Sequence, residues 1–188
     1  MEQNILRSGN DRREKQINPP VEHRQGNEQR DVVRDADRYI EFMKKIPLFQ
    51  GLTPDEYKKI LHICSKQMVP KDHFLCRKGD ESNELYILIK GQLKIMFRPT
   101  SFLTYISPIG LVGEIGVFTG VRRTASVLAA AESTIIRISK IELFELFRNN
   151  SGLGICVLLN VIADLSNKLQ EDNELIEELR NKKRTRIL

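Results

Sequence analysis

Apolar residues recur at helical spacing near both ends of the sequence, and short apolar runs separated by turn residues lie between them. The first helical pattern begins at Ala36 and ends before Pro47, which cannot continue a helix. Its apolar face consists of Tyr39, Phe42, Met43 and Ile46. A second helix is predicted to follow Thr53, because Thr53, Pro54 and Glu56 have the identities expected of an N-cap, a first helical position and a capping box. Its buried stripe consists of Tyr57, Ile60, Leu61 and Cys64.

After Pro70 the pattern changes to brief runs of β-forming residues with turn residues between them. The runs are FLCRKGDESN, ELYILIKG, QLKIMFRP, SFLTYISPIG, TASVLAA and STIIRIS. Several short strands at this spacing are typical of an antiparallel sandwich or barrel. The sequence therefore predicts an α+β fold that is mainly β. In this fold, an antiparallel β-barrel or jelly roll lies between N-terminal helices and a long C-terminal helix.

Helical spacing returns at Lys140, and a long final helix is predicted to begin near Leu153. This helix carries a seam of residues spaced alternately four and three apart, which is the heptad spacing of a coiled coil. The seam consists of Leu158, Ile162, Leu165, Leu169, Asp172, Ile176 and Leu179. Two interpretations stay open: the seam joins two copies of the chain, or the helix packs on its own barrel.

Charged residues divide the chain into three parts. Residues 1–35 are rich in Asn, Gln, Arg, Asp and Glu and have few aliphatic residues to bury, so a disordered charged tail is predicted. Residues 36–180 form the predicted domain, and residues 181–188 form a basic tail. The net charge of +5 is matched by basic side chains near the C-terminus, namely Arg180, Lys182, Lys183, Arg184 and Arg186. Such a tail is either solvated or attaches to an anionic partner.

No segment predicts a membrane span or a secretory signal. The longest apolar candidate, residues 152–165, is interrupted by Asn160 and Asp164 and is shorter than the roughly 20 residues that a span requires. The N-terminus has no apolar core followed by a small-residue cleavage site. The cysteines form an odd set without CxxC spacing, which argues against a disulfide framework and a zinc site. They are Cys64, Cys76 and Cys156. We expect a cytoplasmic protein with free thiols.

The connection over residues 110–127 is longer than the about two to five residues of an ordinary hairpin loop. Its glycines permit close backbone approach, and a short helical turn starting near Glu114 would direct free N–H groups toward an anion. The planar fork of Arg123 can grip two phosphate oxygens, and Thr124 or Ser126 adds hydroxyl donors. The Glu114 carboxylate can accept hydrogen bonds from the hydroxyls that a ribose brings with its phosphate.

Each of these residues has a simpler explanation when it is taken alone. Arg123 could form a surface salt bridge, and the helix dipole favours a carboxylate such as Glu114 at a helix start. A glycine-rich segment that contains both an arginine for phosphate and a carboxylate for sugar hydroxyls fits a nucleotide better than inorganic phosphate.

Two runs in this connection resemble the phosphate-binding cassette of the cyclic-nucleotide-binding domain family. The runs are Gly113–Phe118 and Arg123–Val127. The family includes the catabolite activator protein, the regulatory subunits of cAMP-dependent kinase, cGMP-dependent kinase and nucleotide-gated channels. The resemblance covers residues 39–179. It includes a glycine-bearing hairpin upstream, formed by Gly79-Asp80, Glu84–Leu88 and Gly91. It also includes an apolar motif at the start of the domain, Ile46–Phe49 with Leu52.

The resemblance implies that the ligand is cAMP, with cGMP as the alternative. Glu114 would accept the ribose 2′-hydroxyl and Arg123 would pair with the cyclic phosphate. Backbone N–H groups of Ile115 and Gly116, together with Thr124, would complete the cradle. The remaining cassette positions are Gly113, Ala125 and Ser126. The final helix would cover the purine and place Asp172 and Asn173 near the base, where the catabolite activator protein has hydroxylic residues.

The same resemblance predicts a sensor and not an enzyme. Transcription factors of the family continue into a helix-turn-helix domain, which cannot be fitted between the final helix and Leu188. His62 and His73 lie in no recognisable metal or nucleophile motif. We therefore expect a stand-alone module that forms a homodimer and signals to an effector protein. The alternative is a ligand-free dimeric interaction scaffold with a degenerate nucleotide pocket.

Overall fold

The computed structural model of the protein describes residues 32–98 and 101–185. Its helices are α1 (Ala36–Met43), a short 3-10 turn (Pro47–Phe49), α2 (Pro54–His62), α3 (Glu114–Thr119), α4 (Lys140–Asn149) and α5 (Ser151–Thr185). Its strands are β1 (Cys64–Val69), β2 (Phe74–Cys76), β3 (Glu84–Lys90), β4 (Leu93–Arg98), β5 (Ser101–Ile106), β6 (Leu111–Val112), β7 (Ser126–Ala129) and β8 (Ser133–Ser139).

The strands form two separate antiparallel sheets. Sheet 1 has the order β1-β8-β3-β6, and sheet 2 has the order β2-β7-β4-β5. The predicted α+β fold with a jelly roll, N-terminal helices and a long C-terminal helix is thus confirmed, although the sheets do not close into a continuous barrel. The sequence prediction missed β1, because Cys64 also fits the apolar stripe of α2.

Sheet 1 is the middle layer of the domain because its strands bury side chains on both faces. Leu85 and Ile87 of β3 join a core cluster with the helices, whereas Tyr86 and Leu88 join a second cluster with sheet 2. This two-sided burial explains why β3 reads as the nearly continuous apolar run ELYILIK instead of an alternating pattern. The order of layers is therefore helices, sheet 1 and sheet 2.

The start of α2 agrees with the capping signal in the sequence. The Thr53 hydroxyl accepts a hydrogen bond from the Glu56 backbone N–H, and the Glu56 carboxylate accepts one from the Thr53 N–H at 2.8 Å. This reciprocal pair satisfies two donors that a helix start leaves free. The Tyr57 hydroxyl donates to the Phe49 carbonyl oxygen at 2.7 Å, which ties α2 to the preceding turn.

Helix α5 presents two different apolar stripes. Leu153, Val157 and Val161 are buried in the core cluster that includes the other helices. The seam residues, including the polar Asp172, are exposed, except that Leu165 is partly buried against the same cluster. By length and composition alone α5 could cross a membrane, a test that core helices of soluble proteins also pass. The stripe that packs on the domain, Leu153, Val157 and Val161, is therefore distinct from the predicted heptad seam, and Leu165 is the seam residue that also packs against the core cluster.

The ordered structure extends beyond the predicted domain limits at both ends. Residues 32–34 are helical and Val32 is buried in the core, so structure begins before Ala36. At the other end α5 continues to Thr185. The rest of the predicted tails, residues 1–31 and 186–188, lies outside the described residues. The thiols are free, as expected, and Cys64 and Cys76 are buried. No group of metal-ligating side chains occurs in residues 32–98 and 101–185.

Candidate functional site

The predicted phosphate segment folds into the short helix α3 with glycines at both ends. Gly113 is the N-cap and has φ +97°, and Gly120 is the C-cap with φ +76°. Both values lie in the left-handed region that residues with a Cβ rarely adopt. A Cβ on Gly113 would also lie 2.1 Å from Nη1 of Arg123, so glycine is required here for close approach as well as for conformation.

Arg123 is the central charged residue of this site. Its side chain is only 6% exposed, and Nη2 donates to the Glu84 carbonyl oxygen at 2.6 Å. Nη1 donates to the Gly113 carbonyl oxygen at 3.4 Å, while the buried Nε has no hydrogen-bond partner in the described parts of the chain. The guanidinium also lies 5.5 Å from the ring centroid of Tyr86. The arginine thus keeps unused donor capacity beside the start of α3.

Backbone hydrogen bonds hold the Arg123 segment against the glycine-bearing turn before β3. The Arg123 N–H donates to the Asp80 carbonyl oxygen at 2.9 Å, and the Gly79 N–H donates to the Arg123 carbonyl oxygen at 2.8 Å. The neighbouring Arg122 is exposed, and its Nη1 donates to the Gly79 carbonyl oxygen at 2.9 Å. Adjacent arginines therefore have different environments, as expected of an extended segment.

A partly buried polar network lies next to Arg123. The Glu84 carboxylate accepts hydrogen bonds from Arg137 and from the Tyr86 hydroxyl. Burial, and then the nearby Glu84 charge, raises the pKa of Tyr86 far above its ordinary value, so the hydroxyl stays protonated and keeps donating. The network fixes the start of β3, whose Glu84 carbonyl oxygen is the main acceptor for Arg123.

Ser82 is a residue of this site that the sequence interpretation missed. It is 6% exposed, and its buried Oγ makes no hydrogen bond within the described ranges. A Cβ on Gly116 would lie 2.0 Å from this oxygen, so Ser82 packs directly beneath the backbone of α3. The signal was weak because serine is ordinary in a turn such as Gly79-Asp80-Glu81-Ser82.

This close packing makes Gly116 sensitive to substitution. Gly116→Ala should lower the free energy of unfolding by about 1–3 kcal/mol, because the added Cβ overlaps Ser82 and lies 2.9 Å from the Val121 carbonyl oxygen. The double variant Gly116→Ala/Ser82→Gly should recover part of the loss in urea unfolding. Gly152→Ala is the matched control, because a Cβ there meets nothing within 4 Å. Equal effects of the two glycine variants would contradict the overlap.

Glu114 is held by a lysine from the final helix. Nζ of Lys168 donates to the Glu114 carboxylate at 2.9 Å and forms an ion pair with Asp164 at 2.8 Å. The Glu114 side chain is only 12% exposed. Burial alone would lower the pKa of Lys168, but its hydrogen bonds to Asp164 and Glu114 outweigh burial and raise that pKa, so the lysine is charged. Lys168 was not foreseen because 54 residues separate it from Glu114.

The other predicted site residues divide into two groups. Ile115 is exposed in the first turn of α3, Thr124 is exposed, and Ala125 is half-buried. The Ser126 hydroxyl accepts a hydrogen bond from the Lys78 backbone N–H at 2.9 Å, so it ties β7 to the loop after β2. The second group, Asp172 and Asn173, is exposed on α5 beyond Lys168, and within the described residues no hydrogen bond or ion pair joins either of them to the cassette.

Chemically, the segment combines an arginine with spare donors, a helix start, close-packed glycines and a carboxylate. On this β-sandwich domain, such a combination of groups can hold an anion that carries hydroxyl groups. Residues 66–150 match the family model described as cyclic nucleotide-binding domain.

Proteins similar to this chain include a cyclic AMP receptor protein and a cyclic nucleotide-gated channel. The chain is 28% identical over 150 residues to the cyclic AMP receptor protein of Thermus thermophilus, covering 74% of this chain and 67% of that protein. It is 30% identical over 116 residues to the human cyclic nucleotide-gated channel beta-3, covering 58% of this chain but only 14% of the channel. The chain thus spans a small part of some of the relatives it matches.

A solved structure supports the same fold. A cyclic nucleotide-binding domain from Methylobacillus flagellatus superimposes with a TM-score of 0.64 at 23% identity, covering 75% of this chain and 84% of that one. The match to the cyclic nucleotide-binding domain family therefore covers residues 66–150, and the solved structure shows the same fold. Domains of this family are non-enzymatic regulatory sensors, which confirms the expectation for this domain.

Proposed function

We propose that the protein binds cAMP, or alternatively cGMP, at α3 and Arg123 and passes the signal to a partner through α5. The observation that carries this proposal is the buried Arg123 guanidinium with an unpartnered Nε beside Gly113, within a matched family domain. The phosphate would be held by Arg123 and by N–H groups at the start of α3. The Glu114 carboxylate would accept the ribose 2′-hydroxyl.

A thermal-shift titration with cAMP and cGMP tests this function directly. Ligand that binds only the folded state raises the melting temperature as its concentration passes Kd. We expect a saturable shift with a cyclic nucleotide and a much smaller one with 5′-AMP, whose open phosphate carries different charge and shape. Absence of a shift with either cyclic nucleotide at millimolar concentration would reject the proposal.

The Lys168–Glu114 ion pair supports a role for α5 in signalling. It is the one ion pair between α5 and α3 in residues 32–98 and 101–185, and beyond Val161 most side chains of α5 are exposed. A ribose hydroxyl and Lys168 compete for the same carboxylate. Nucleotide binding would therefore release this attachment and free the distal half of α5 to move.

Lys168→Gln should therefore raise cyclic-nucleotide affinity by about two- to fivefold, the range expected from one partly exposed ion pair. Isothermal titration calorimetry measures the change. Lys182→Gln is the matched control, because Lys182 lies on the same helix and pairs with Glu178 at 3.7 Å, away from α3. A lower affinity of Lys168→Gln would show that Lys168 binds the ligand instead of competing with it.

Asp172 supports a prediction about the base. A carboxylate can accept two hydrogen bonds from the ring N–H and amino group of guanine, whereas adenine offers a single amino group. If movement of α5 brings Asp172 to the purine, Asp172→Ala should change the ratio of cAMP to cGMP affinity several-fold. An unchanged ratio, with altered dimer stability alone, would favour the alternative that Asp172 sets the register of a coiled coil.

The second candidate function is a dimeric interaction scaffold that binds no nucleotide. The observation that favours it is that both charged side chains of the pocket already have partners within the chain, since Glu114 is paired with Lys168 and Arg123 bonds to the Glu84 and Gly113 carbonyl oxygens. The thermal-shift titration separates the two functions. For either one we propose a cytoplasmic homodimer, which the exposed seam of α5 and the free thiols support.

A further inference from the structure

The outer face of sheet 2 departs from the usual polarity of a two-sheet fold. Register identifies the residues of this face, because directly opposed residues in antiparallel strands point to the same side. One row consists of Phe74, Leu128, Lys94 and Tyr105, and the next consists of Ser126, Met96 and Phe102. None of them belongs to either core cluster, although Met96 is itself buried at 9% exposure. A solvated antiparallel face is normally polar, whereas this one is largely apolar and aromatic.

Exposed rings dominate the face. Phe102 is 50% exposed and Tyr105 is 48% exposed, and their ring centroids lie 4.7 Å apart. Both rings belong to β5, which is the edge strand of sheet 2. With four strands about 4.8 Å apart, the row from Phe74 to Tyr105 spans about 14 Å. The rings therefore form an extended platform and not an isolated exposed side chain.

Cations accompany these rings. The Arg77 guanidinium lies 3.8 Å from the centroid of the Phe74 ring, and Lys94 lies 5.7 Å from that of Phe102. The four strands of sheet 2 contain no aspartate or glutamate. The positive charge of this face is therefore separate from that of the C-terminal basic residues.

We propose that the outer face of sheet 2 binds single-stranded nucleic acid. Aromatic rings on an open sheet stack with unpaired bases, and neighbouring cations contact the phosphates, which is the chemistry of sequence-tolerant single-strand binding. Exposed rings on an open sheet face favour bases over a peptide helix, which needs an apolar groove. The proposal is independent of cyclic-nucleotide binding, because its rings and cations are not residues of the α3 site; only Ser126 is common to this face and the predicted cassette.

Fluorescence anisotropy with fluorescein-labelled oligo(dT) and oligo(U) of 12 nucleotides tests the proposal on the full chain. We expect micromolar binding at low salt. Phe102→Ala/Tyr105→Ala should weaken it at least tenfold, as expected for lost base stacking. Lys94→Gln should reduce the slope of log affinity against log salt by roughly 0.7, the contribution of one phosphate contact. Circular dichroism melting checks that each variant remains folded.

Two controls separate this face from non-specific attraction. Ile141→Ala removes a 75% exposed apolar side chain on α4 and should leave binding unchanged. A chain lacking residues 181–188 should bind like the full chain, because the platform lies elsewhere. No binding at low salt, or equal binding by the double alanine variant, would overturn the proposal. Equal affinity for duplex DNA, or equal competition by polyglutamate, would also overturn it and indicate general electrostatic or acidic-peptide binding.

Discussion

Arg123→Ala should weaken cyclic-nucleotide binding by about 2–5 kcal/mol, the usual cost of removing one partner of a buried charge pair. The effect is expected to be large because the guanidinium is 6% exposed and its buried Nε has no partner in the described structure. Calorimetric titration of the folded variant measures it. Arg123→Lys should recover only part of the affinity, since an ammonium cannot form the bidentate contact.

Arg122→Ala is the matched control for this experiment. Arg122 is adjacent in sequence but exposed, and its guanidinium bonds to the Gly79 carbonyl oxygen on the surface. Its removal should cost far less binding free energy. Because Arg123 also bonds to the Glu84 carbonyl oxygen, urea unfolding of each variant distinguishes lost binding from lost stability. Equal losses of affinity for the two variants would contradict the assignment of Arg123 as the phosphate-binding residue.

Leu169→Glu/Ile176→Glu should convert the proposed parallel homodimer to a monomer. Both residues are seam positions on α5, and both are largely exposed in the single chain. In a coiled coil these positions are buried, and an unpaired carboxylate placed there is costly to desolvate. Light scattering at micromolar concentration should show at least a hundredfold weaker association.

Leu175→Glu is the control, because Leu175 is similarly exposed but lies outside the heptad seam. It should leave the dimer largely intact. A monomeric mass for the unaltered chain would refute the dimer itself. Point substitutions are preferable to truncation before Leu158, which would also remove the buried Val161 and the Asn160 side chain, whose amide donates to the Gln50 carbonyl oxygen at 2.8 Å.

The fold was largely predictable because its signals are repeated along the chain. Turn residues between short apolar runs indicated the strands, and Thr53 with Glu56 located the start of α2. Strand β1 was not predicted, because its side chains do not alternate between buried and exposed positions. Its strand character follows from its antiparallel pairing with β8. The heptad seam was visible in the sequence, but the stripe of α5 that packs on the domain was not distinguished from it.

The sequence indicated which residue types the candidate site contains, but not which distant residues they contact. The glycines, Glu114 and Arg123 fall in one short segment, and the helix at Glu114 forms where that segment suggested it. Ser82 and Lys168 come from distant parts of the chain and carry no local signal. Asp172 and Asn173 were placed near the base by resemblance, and in the structure they are exposed on α5, so their role depends on movement of that helix.

By itself, the sequence determined what depends on neighbouring residues: the capped start of α2, the glycines that permit positive φ at both ends of α3, and the heptad spacing of α5. Only the tertiary structure decided which partners those residues meet. The Arg123 guanidinium bonds to a carbonyl oxygen 39 residues away, and Glu114 is paired with a lysine 54 residues away. Local signals reach only a few residues along the chain, whereas such contacts depend on how the sheets and α5 pack.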